Sequence, residues 1–467
     1  MSDDAKLWSK TISDVNPEIL LNLEKPHPSF YAAFALAVLC LLFGIVLVGL
    51  HTTYGLGLWN FAPPVYWEVD ITNFVFWVGI GHAGTLISAI LFLFRAKWRN
   101  TVNRSAEAMT IFAVICAASF PLIHMGRMWV GAYWALPLPN TNNLWINFRS
   151  PLVWDVFAIS TYFTTSLLFW YMGLVPDLAS IRDRMTGFKR LVYGFMSFGW
   201  RGTAKQWWHY EAGYGFLAAL ATPLVLSVHS VVSWDFAMSL QPGWHTVIFP
   251  PYFVAGAILS GCAMVYSLLV PVRYMFKLEK FILPEHLDAC LRLTLLTSTI
   301  VSYAYAIEFF VAWYSGNPYE WALFAKRAVG PYCFYFWVMT FCNCIFPMAF
   351  WSKKIRSSIP VSLVICILIN VGMWFERYNI IVSSLVEDFV PARWGHVQPG
   401  LWEIGITVGS FGLFFTFYLI FCKFFPIVSL SEIKLIMPKP LSSKGKGGHG
   451  GHGGHSGQPA KGGAHHV

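Results

Sequence analysis

Ten long apolar stretches constrain this chain of 467 residues more than any other feature of its sequence. Each stretch approaches or exceeds the roughly 20 residues with which an α-helix crosses the hydrocarbon core of a bilayer. Charged residues make up 12% of the chain, about half the share typical of a soluble domain. We therefore expect an all-α integral membrane protein. The predicted spans are residues 30–50, 72–94, 106–129, 151–175, 213–236, 247–271, 289–314, 331–351, 358–384 and 400–425.

Lysine and arginine residues concentrate in alternate loops between the predicted spans, as at Arg182, Arg184, Lys189 and Arg190. The positive-inside rule places such loops in the cytoplasm, so both termini are predicted to be cytoplasmic. This topology accounts for the net charge of +9 without a nucleic-acid partner, and membrane lipids are the expected surroundings.

The two ends of the chain differ in composition from its apolar centre. Residues 1–29 are polar and form a predicted tail without a secretory signal, ahead of a ten-helix domain at residues 30–430. Residues 431–467 are rich in glycine and histidine and are predicted to be disordered, with adventitious metal binding at most. The nine cysteines lie in or beside apolar spans without CxxC spacing, which favours packing roles, and no metal site is predicted.

Eight of the ten spans form an internal repeat, residues 72–236 followed by residues 247–384. Pro151 and Pro331 open corresponding spans, and His229 corresponds to Glu376. Copies that are four spans apart have the same orientation, so the repeat is parallel, with an axis roughly along the membrane normal. The predicted fold is therefore two four-helix bundles with the first and last spans outside them as two peripheral helices.

Three short segments resemble the NrfD/PsrC family of quinone-reactive membrane subunits. They are HAGT in the second span, PLIHMGRMW in the third and RSPLVWD at the start of the fourth. The KPHPSFY segment before the first span, the two additional spans and the overall length are most similar to the larger such subunit of bacterial alternative complex III. The resemblance extends over residues 20–430.

This resemblance implies a quinol-oxidising subunit, with menaquinol or ubiquinol as substrate, in a bacterial inner membrane. The chain would hold no redox cofactor of its own, and iron–sulfur clusters and haem c would be held by its partners. The implied partners are a periplasmic iron–sulfur or molybdopterin-like subunit, multi-haem cytochrome c subunits, a second NrfD-like membrane subunit and a terminal oxidase.

The ionisable residues inside the spans gather toward one membrane face, where His124 and Asp155 are the leading candidates for catalysis. At 1.5 Å rise per residue, His124 lies about 8 Å and Asp155 about 6 Å below the outer surface, on consecutive helices. A neutral histidine is a suitable acceptor for a hydroquinone proton, and Asp155 would orient it or take the proton onward. The alternative is a hydrogen bond that only ties two helices together. Asp70, Arg127 and Tyr133 lie at similar depth and are candidates for quinol binding.

A second polar cluster belongs to the later spans and suggests a proton pathway. Glu308, Glu376 and Arg377 lie below the outer surface, and a stripe of hydroxyl-bearing residues follows below Glu308 on one helical face. The alternative for such hydroxyls is a hydrogen bond to their own helix. His229 either connects the two clusters or is a packing histidine. The stripe consists of Thr294, Ser298, Ser302 and Tyr305.

Two other functions compete with quinol oxidation. A secondary transporter or proton-conducting protein suits the parallel repeat and the carboxylates within the membrane, although transporter sites usually lie at broken helices near the midplane. A haem b cytochrome would use two of His82, His124 and His229 as axial ligands.

Overall fold

The structure is a computed structural model that describes residues 19–20, 24–96, 98–129 and 148–436. In that part of the chain there are ten helices long and apolar enough to cross a membrane and no named strand, which confirms the all-α membrane fold. We number the helices of seven or more residues from Pro28 onward in chain order. They are α1 (Pro28–Tyr54), α2 (Val69–Leu93), α3 (Arg99–His124), α4 (Pro151–Arg182), α5 (Gly187–Met196), α6 (Ala204–Ala237), α7 (Phe249–Met275), α8 (Pro284–Tyr314), α9 (Pro318–Val329), α10 (Cys333–Thr340), α11 (Ile359–Leu385), α12 (Leu401–Phe424) and α13 (Leu430–Ile436).

The spanning helices form two groups of four with a pair of helices beside them. In the first bundle α2, α3, α4 and α6 pack in a ring, and in the second α7 and α11 pack with α8 and α10. The two bundles meet mainly where α2 lies against α7, and α1 packs along α12 outside both. We call the end that carries the basic loops the basic end, and the opposite end the outer end.

Small residues set the closest approaches between helices, as is usual where lipid supplies no hydrophobic driving force. A Cβ added at Gly261 of α7 would collide with the methyl group of Ala83 of α2, so this glycine brings the two bundles together. Between α12 and α1, a Cβ at Gly409 would lie 2.5 Å from the Cα of Gly44. Neither contact involves a flexible side chain that could move aside.

Several helices extend further toward the basic end than apolar composition predicts. The predicted third span begins at residue 106, whereas α3 begins at Arg99, and α4 continues to Arg182 beyond the predicted end at residue 175. Arg104, which composition assigns to a loop, is a fully buried residue of α3. The physical reason is that Arg104 pairs with Glu107 and Asp177 at 3.1 and 3.3 Å, so charged residues continue the helix inside the bundle.

The described part of the predicted C-terminal tail is ordered. Residues 430–436 form α13, which returns to the basic end of the first bundle. There the backbone N–H of Ser431 donates to Asp177 at 3.1 Å, and Glu432 pairs with Arg99 at 3.0 Å. Buried partners therefore hold residues that composition alone assigns to a disordered segment, and residues 437–467 lie outside the described part.

Candidate functional site

The outer end of the first bundle brings four chain segments to one level. Because consecutive helices alternate in direction, the start of α2, the end of α3, the start of α4 and the end of α6 all lie there. Each of these helix ends carries an ionisable side chain. These are Asp70, His124, Asp155 and Asp235.

His124 is paired with Asp70. Its Nδ1 lies 2.5 Å from Oδ2 of Asp70, whose side chain is fully buried, while 30% of the histidine side chain is exposed. The other oxygen of Asp70 accepts the backbone N–H groups of Glu68 and Ile71 at 3.1 and 2.8 Å. A carboxylate held in this way fixes the orientation and tautomer of the imidazole, which leaves Nε2 as the atom able to accept a proton.

The sequence analysis paired Asp155 with His124. In the described part of the structure, Asp155 has a different neighbour. Its carboxyl group lies against that of Asp235, within hydrogen-bonding reach. Neither oxygen of Asp155 receives a hydrogen bond from an N–H or O–H group of the described chain. Two carboxyl groups in contact cannot both ionise, so the pair holds one proton between them. Depth along a helix placed Asp155 correctly at the outer end, but the direction in which its side chain points follows from helix packing.

Asp235 is a residue that the sequence analysis missed. It lies two positions before the end of α6, and its neighbour Trp234 contacts Trp154 with ring centroids 6.0 Å apart. The depth arithmetic that singled out Asp155 would also have found Asp235, because both lie close to the outer end of their spans.

Two further buried acids surround the His124 pair and were also missed. Glu68 precedes α2, and Glu403 lies in the first turn of α12; both are almost fully buried. Burial, with the nearby carboxylates of Glu403 and Asp70, raises the pKa of Glu68 to about 8. In the described chain both oxygens of Glu68 and one oxygen of Glu403 lack a hydrogen-bond donor. The outer end therefore offers unused acceptors to a ligand that carries hydroxyl groups.

Two outer candidates remain, Arg127 and Tyr133. Arg127 is exposed, just beyond the end of α3. Tyr133 lies outside the described residues. The proposed roles of Asp70, Arg127 and Tyr133 in quinol binding stay predictions.

The second bundle gathers the other predicted cluster around Glu376 of α11. Glu376 accepts hydrogen bonds from the hydroxyl of Tyr305 and, at 3.3 Å, from the amide of Asn343. Its second oxygen lies 3.0 Å from the guanidinium of Arg377, which stacks over the ring of Phe253 at 4.5 Å. Glu376 and Arg377 thus form a buried ion pair.

The sequence left two interpretations open for the hydroxyl groups on α8, a proton pathway or hydrogen bonds to their own helix. The structure shows different partners for different members of the stripe. Thr294 and Ser302 donate to carbonyls of their own helix at 3.0 and 2.8 Å. Ser298 instead donates to the carbonyl of Asn343 at 2.6 Å, where the helix after α10 widens into a π-turn at Phe341–Ile345. Glu308, the predicted gate, has one buried oxygen without a donor in the described chain.

His229 is paired with a second histidine. Its Nδ1 lies 2.9 Å from Nδ1 of His82, and both rings are buried at the centre of the first bundle. The ring of Tyr162 packs on His82 with centroids 4.3 Å apart, and that of Phe253 lies 6.0 Å from His229. The ring of Phe253 also lies 4.5 Å from the guanidinium of Arg377, so it separates His229 from the Glu376 cluster. The connecting role of His229 stays a prediction.

A third ionic cluster, at the basic end of the first bundle, was not expected. Glu107 accepts hydrogen bonds from Ser88 at 2.5 Å and from Tyr214 at 2.8 Å, and it pairs with Arg104. All of these side chains are buried. Ionisable residues of the described membrane domain therefore also cluster at the basic end, not only at the outer one.

The described histidines do not fit a bis-histidine haem. Axial ligation needs two imidazoles on opposite faces of the macrocycle, with the iron between them. His82 and His229 instead point their Nδ1 atoms at each other, and His124 directs its Nδ1 to Asp70. Among the described residues there is also no group of three or more histidine, cysteine, aspartate or glutamate side chains arranged to hold a metal ion.

Comparisons with known proteins agree with this architecture. The family model for "Polysulphide reductase, NrfD" matches residues 57–387, which contain both bundles and leave out α1 and α12. A putative dimethyl sulfoxide reductase membrane subunit of Halobacterium salinarum is 25% identical over 210 residues, which cover 42% of this chain and 41% of that relative. The chain thus belongs to the polysulphide reductase NrfD family.

Proposed function

We propose that this chain is the quinol-oxidising membrane subunit of a respiratory oxidoreductase of the alternative complex III type. The observation that carries the proposal is the pair of His124 and Asp70 at the outer end, a partly exposed imidazole oriented by a fully buried carboxylate. Asp155 and Asp235 supply a second proton-accepting pair at the same level. The substrate is menaquinol or ubiquinol.

Oxidation of a quinol to a quinone releases two protons and two electrons. Nε2 of His124 takes the first proton, and Asp70 stabilises the imidazolium that results. The carboxyl pair of Asp155 and Asp235 already shares one proton, so its one ionised member takes the second. The two electrons would leave one at a time to iron–sulfur clusters held by a partner on the periplasmic side.

The partners follow from the family and from the proposed reaction. NrfD subunits act with molybdopterin and iron–sulfur subunits of reductases. For this chain we propose an iron–sulfur or molybdopterin-like subunit on the periplasmic side, multi-haem cytochrome c subunits, a second NrfD-like subunit and a terminal oxidase. Both chain termini would lie in the cytoplasm of a bacterium, because the basic loops face that side.

Buried polar chains support a further role in proton translocation. In the first bundle Thr85 donates to Ser166 at 3.1 Å, and Ser88, one turn along α2, donates to Glu107 at 2.5 Å. In the second bundle Ser298 and Tyr305 lead toward Glu376. With Glu308 as its gate, this stripe would carry protons from the cytoplasm through bound water.

Substitution of the histidine tests the proposed reaction. We expect His124→Ala to lower quinol oxidation by the intact complex about 10²- to 10⁴-fold, as loss of a general base does. His245→Ala is the matched control, since His245 is an exposed histidine at the same end, and it should keep the parental rate. If His124→Ala stays within about threefold of the parent in a complex that keeps all its subunits, quinol oxidation does not use this site.

The alternative of a transporter or proton-conducting protein has one supporting observation, the irregular helix after α10. The π-turn at Phe341–Ile345 is followed by a 3₁₀ segment at Phe346–Trp351, next to the buried Asn343. Such irregular backbone lines the sites of many transporters. Solute uptake or proton flux into vesicles that contain this chain alone, without quinol, would support that function.

A further inference from the structure

A long apolar groove runs along α12 on the surface of the membrane domain. It consists of two adjoining cavities of about 420 and 500 Å³, which share Ser267, Val408, Phe411 and Phe415. Residues of α7 and α12 line both cavities; α11 closes the outer cavity and α1 the inner one. The groove is separate from the His124 and Asp155 pairs of the proposed reaction.

The position of the groove determines what kind of molecule fills it. It lies between membrane-spanning helices with walls of aliphatic and aromatic side chains, where bilayer hydrocarbon and not water is the surrounding medium. On α12 it extends from Ile404 to Leu419, which at 1.5 Å per residue is about 22 Å. The occupant is therefore a linear hydrocarbon chain that is aligned with the helices.

One turn of α2 connects the outer end of the groove to the His124 site. Trp374, which lines the groove, donates its indole N–H to Oδ1 of Asn73 at 2.7 Å, and the amide of Asn73 donates to Thr407 at 2.8 Å. Asn73 follows Asp70, the partner of His124, by one turn of α2. A molecule in the groove thus has its outer end beside the proposed site.

The charges at this end distinguish two kinds of occupant. A phospholipid needs cations for its phosphate, and none of the described groove-lining residues is a lysine or an arginine. Val69 lines the groove directly after Glu68, whose two buried oxygens lack donors in the described chain, as does one oxygen of Glu403. The carbonyl oxygen of protonated Glu68 and the free oxygen of Glu403 are two acceptors, which suit a neutral head group that donates two O–H groups.

We propose that this groove holds the isoprenoid tail of the quinol and is its lateral entrance from the bilayer. The tail lies along α12 between α7, α11 and α1, and the head group lies at the outer end beside Asn73 and the acids Glu68 and Glu403. This proposal rests on the proposed function, because it takes quinol to be the substrate of the chain.

A bulky side chain in the shared part of the groove tests the proposal. We expect Val408→Trp in the intact complex to raise the KM for a long-tailed quinol about tenfold, while kcat/KM for a tail-less quinol stays within twofold. Ile420→Trp is the control, a similarly exposed residue of the same helix that does not line the groove, and it should change neither value. Equal KM values for the parent and Val408→Trp, or equal losses with both substrates, would overturn the proposal.

A photoreactive tail separates quinol from phospholipid as the occupant. A quinone with a diazirine at the end of its isoprenoid tail should label peptides of α7 and α12, and Val408→Trp should abolish that labelling. The competing probe is a phospholipid that carries a diazirine on its acyl chain. If this phospholipid labels the groove and excess quinone does not weaken that labelling, the proposal is overturned. The His124→Ala test is independent of this one. If the His124→Ala variant keeps full activity and the quinone probe still labels the groove, the proposed catalytic residue is rejected and the groove is not.

Discussion

Among the buried carboxyl groups of the described membrane domain, three arrangements differ in their chemical consequence. Asp70 orients an imidazole, Asp155 and Asp235 share a proton, and Glu376 is neutralised by Arg377. An isolated charge in the bilayer is costly, so each arrangement reduces that cost. The first two can also accept protons, whereas an ion pair with arginine stays charged, which is why the outer end of the first bundle is the favoured place for the reaction.

The first prediction concerns Glu68 and pH. Its folded-state pKa of about 8 lies above the ordinary value of 4.5, so the folded state binds the proton more tightly than the unfolded state. The stability of the protein should therefore fall as pH rises from about 4.5 to 8 and level off above that. Glu68→Gln removes this penalty, so its melting temperature should exceed that of the parent by roughly 2 °C or more at pH 8.5 and equal it at pH 5.

Thermal unfolding of the purified protein in detergent at both pH values measures this effect. Glu285→Gln is the control, an exposed acid at the start of α8 whose substitution should shift the melting temperature at neither pH. A difference in melting temperature between Glu68→Gln and the parent that does not grow with pH would contradict the assignment of Glu68 as a protonated group.

The second prediction concerns the carboxyl pair. Asp155→Asn and Asp235→Asn should each lower quinol oxidation about 10²-fold, because either change breaks the pair in which one carboxyl group is ionised and the other donates a hydrogen bond to it. Since the two act as a unit, the double substitution should be little worse than the more harmful single one. Rates of the three variants in the intact complex test this, with Asp183→Asn, an exposed acid, as control. Multiplicative losses would show independent roles.

At the scale of the helices, buried ion pairs decide where α3 begins and where α4 ends. Arg104 pairs with Glu107 and Asp177, and its guanidinium also donates to the carbonyl of Gly173. A Cβ at Gly173 would collide with that guanidinium, so the residue at this position of α4 must be small. The network binds α3 to α4 and, through Ser429 and Glu432, to the segment that carries α13.

The third prediction follows from this network. Arg104→Met leaves the carboxylates of Glu107 and Asp177 buried without their cation, a change that typically costs about 3–5 kcal/mol. We expect a clear fall in melting temperature and faster proteolysis after α12. Arg184→Met, at an exposed arginine just beyond α4, is the control and should leave both measurements unchanged. Parental stability of Arg104→Met would show that the network contributes little to folding.

At the scale of the whole molecule, two bundles meet along α2 and α7, and the family match covers both. The outer proton-accepting pairs lie in the first bundle and the Glu376 cluster in the second, with His82 and His229 between them. The additional helices α1 and α12 lie outside the matched region, and α12 supplies Glu403 and one wall of the groove. The peripheral helices therefore add acceptors and a surface that the bundles alone lack.

The fourth prediction concerns topology. Because the basic loops alternate across ten spans, a reporter fused after Val467 should be cytoplasmic, and one inserted at Asn142 should be periplasmic. Alkaline phosphatase and green fluorescent protein fusions at both positions provide the measurement. A periplasmic C-terminus would require an odd number of spans or an inverted protein, and only the inverted protein would place the His124 site on the cytoplasmic side.

The sequence by itself determined the number of spanning helices and the depth of most site residues. Backbone groups in lipid must be hydrogen-bonded within a helix, so each long apolar stretch forms a spanning helix. The position of a residue along such a helix then gives its depth in the membrane. Composition did not predict that Arg99 and Arg104 belong to α3, because buried ion-pair partners extend this helix beyond its apolar stretch.

Only the tertiary structure decided which side chains meet. His124 shares its depth with Asp70, Asp155 and Asp235, and depth does not select among them. The rotation of each helix about its axis and the order of helices in the ring assign Asp70 to His124 and Asp235 to Asp155. Close contacts between small residues, such as Ala83 against Gly261, fix that rotation because packed backbones admit few arrangements.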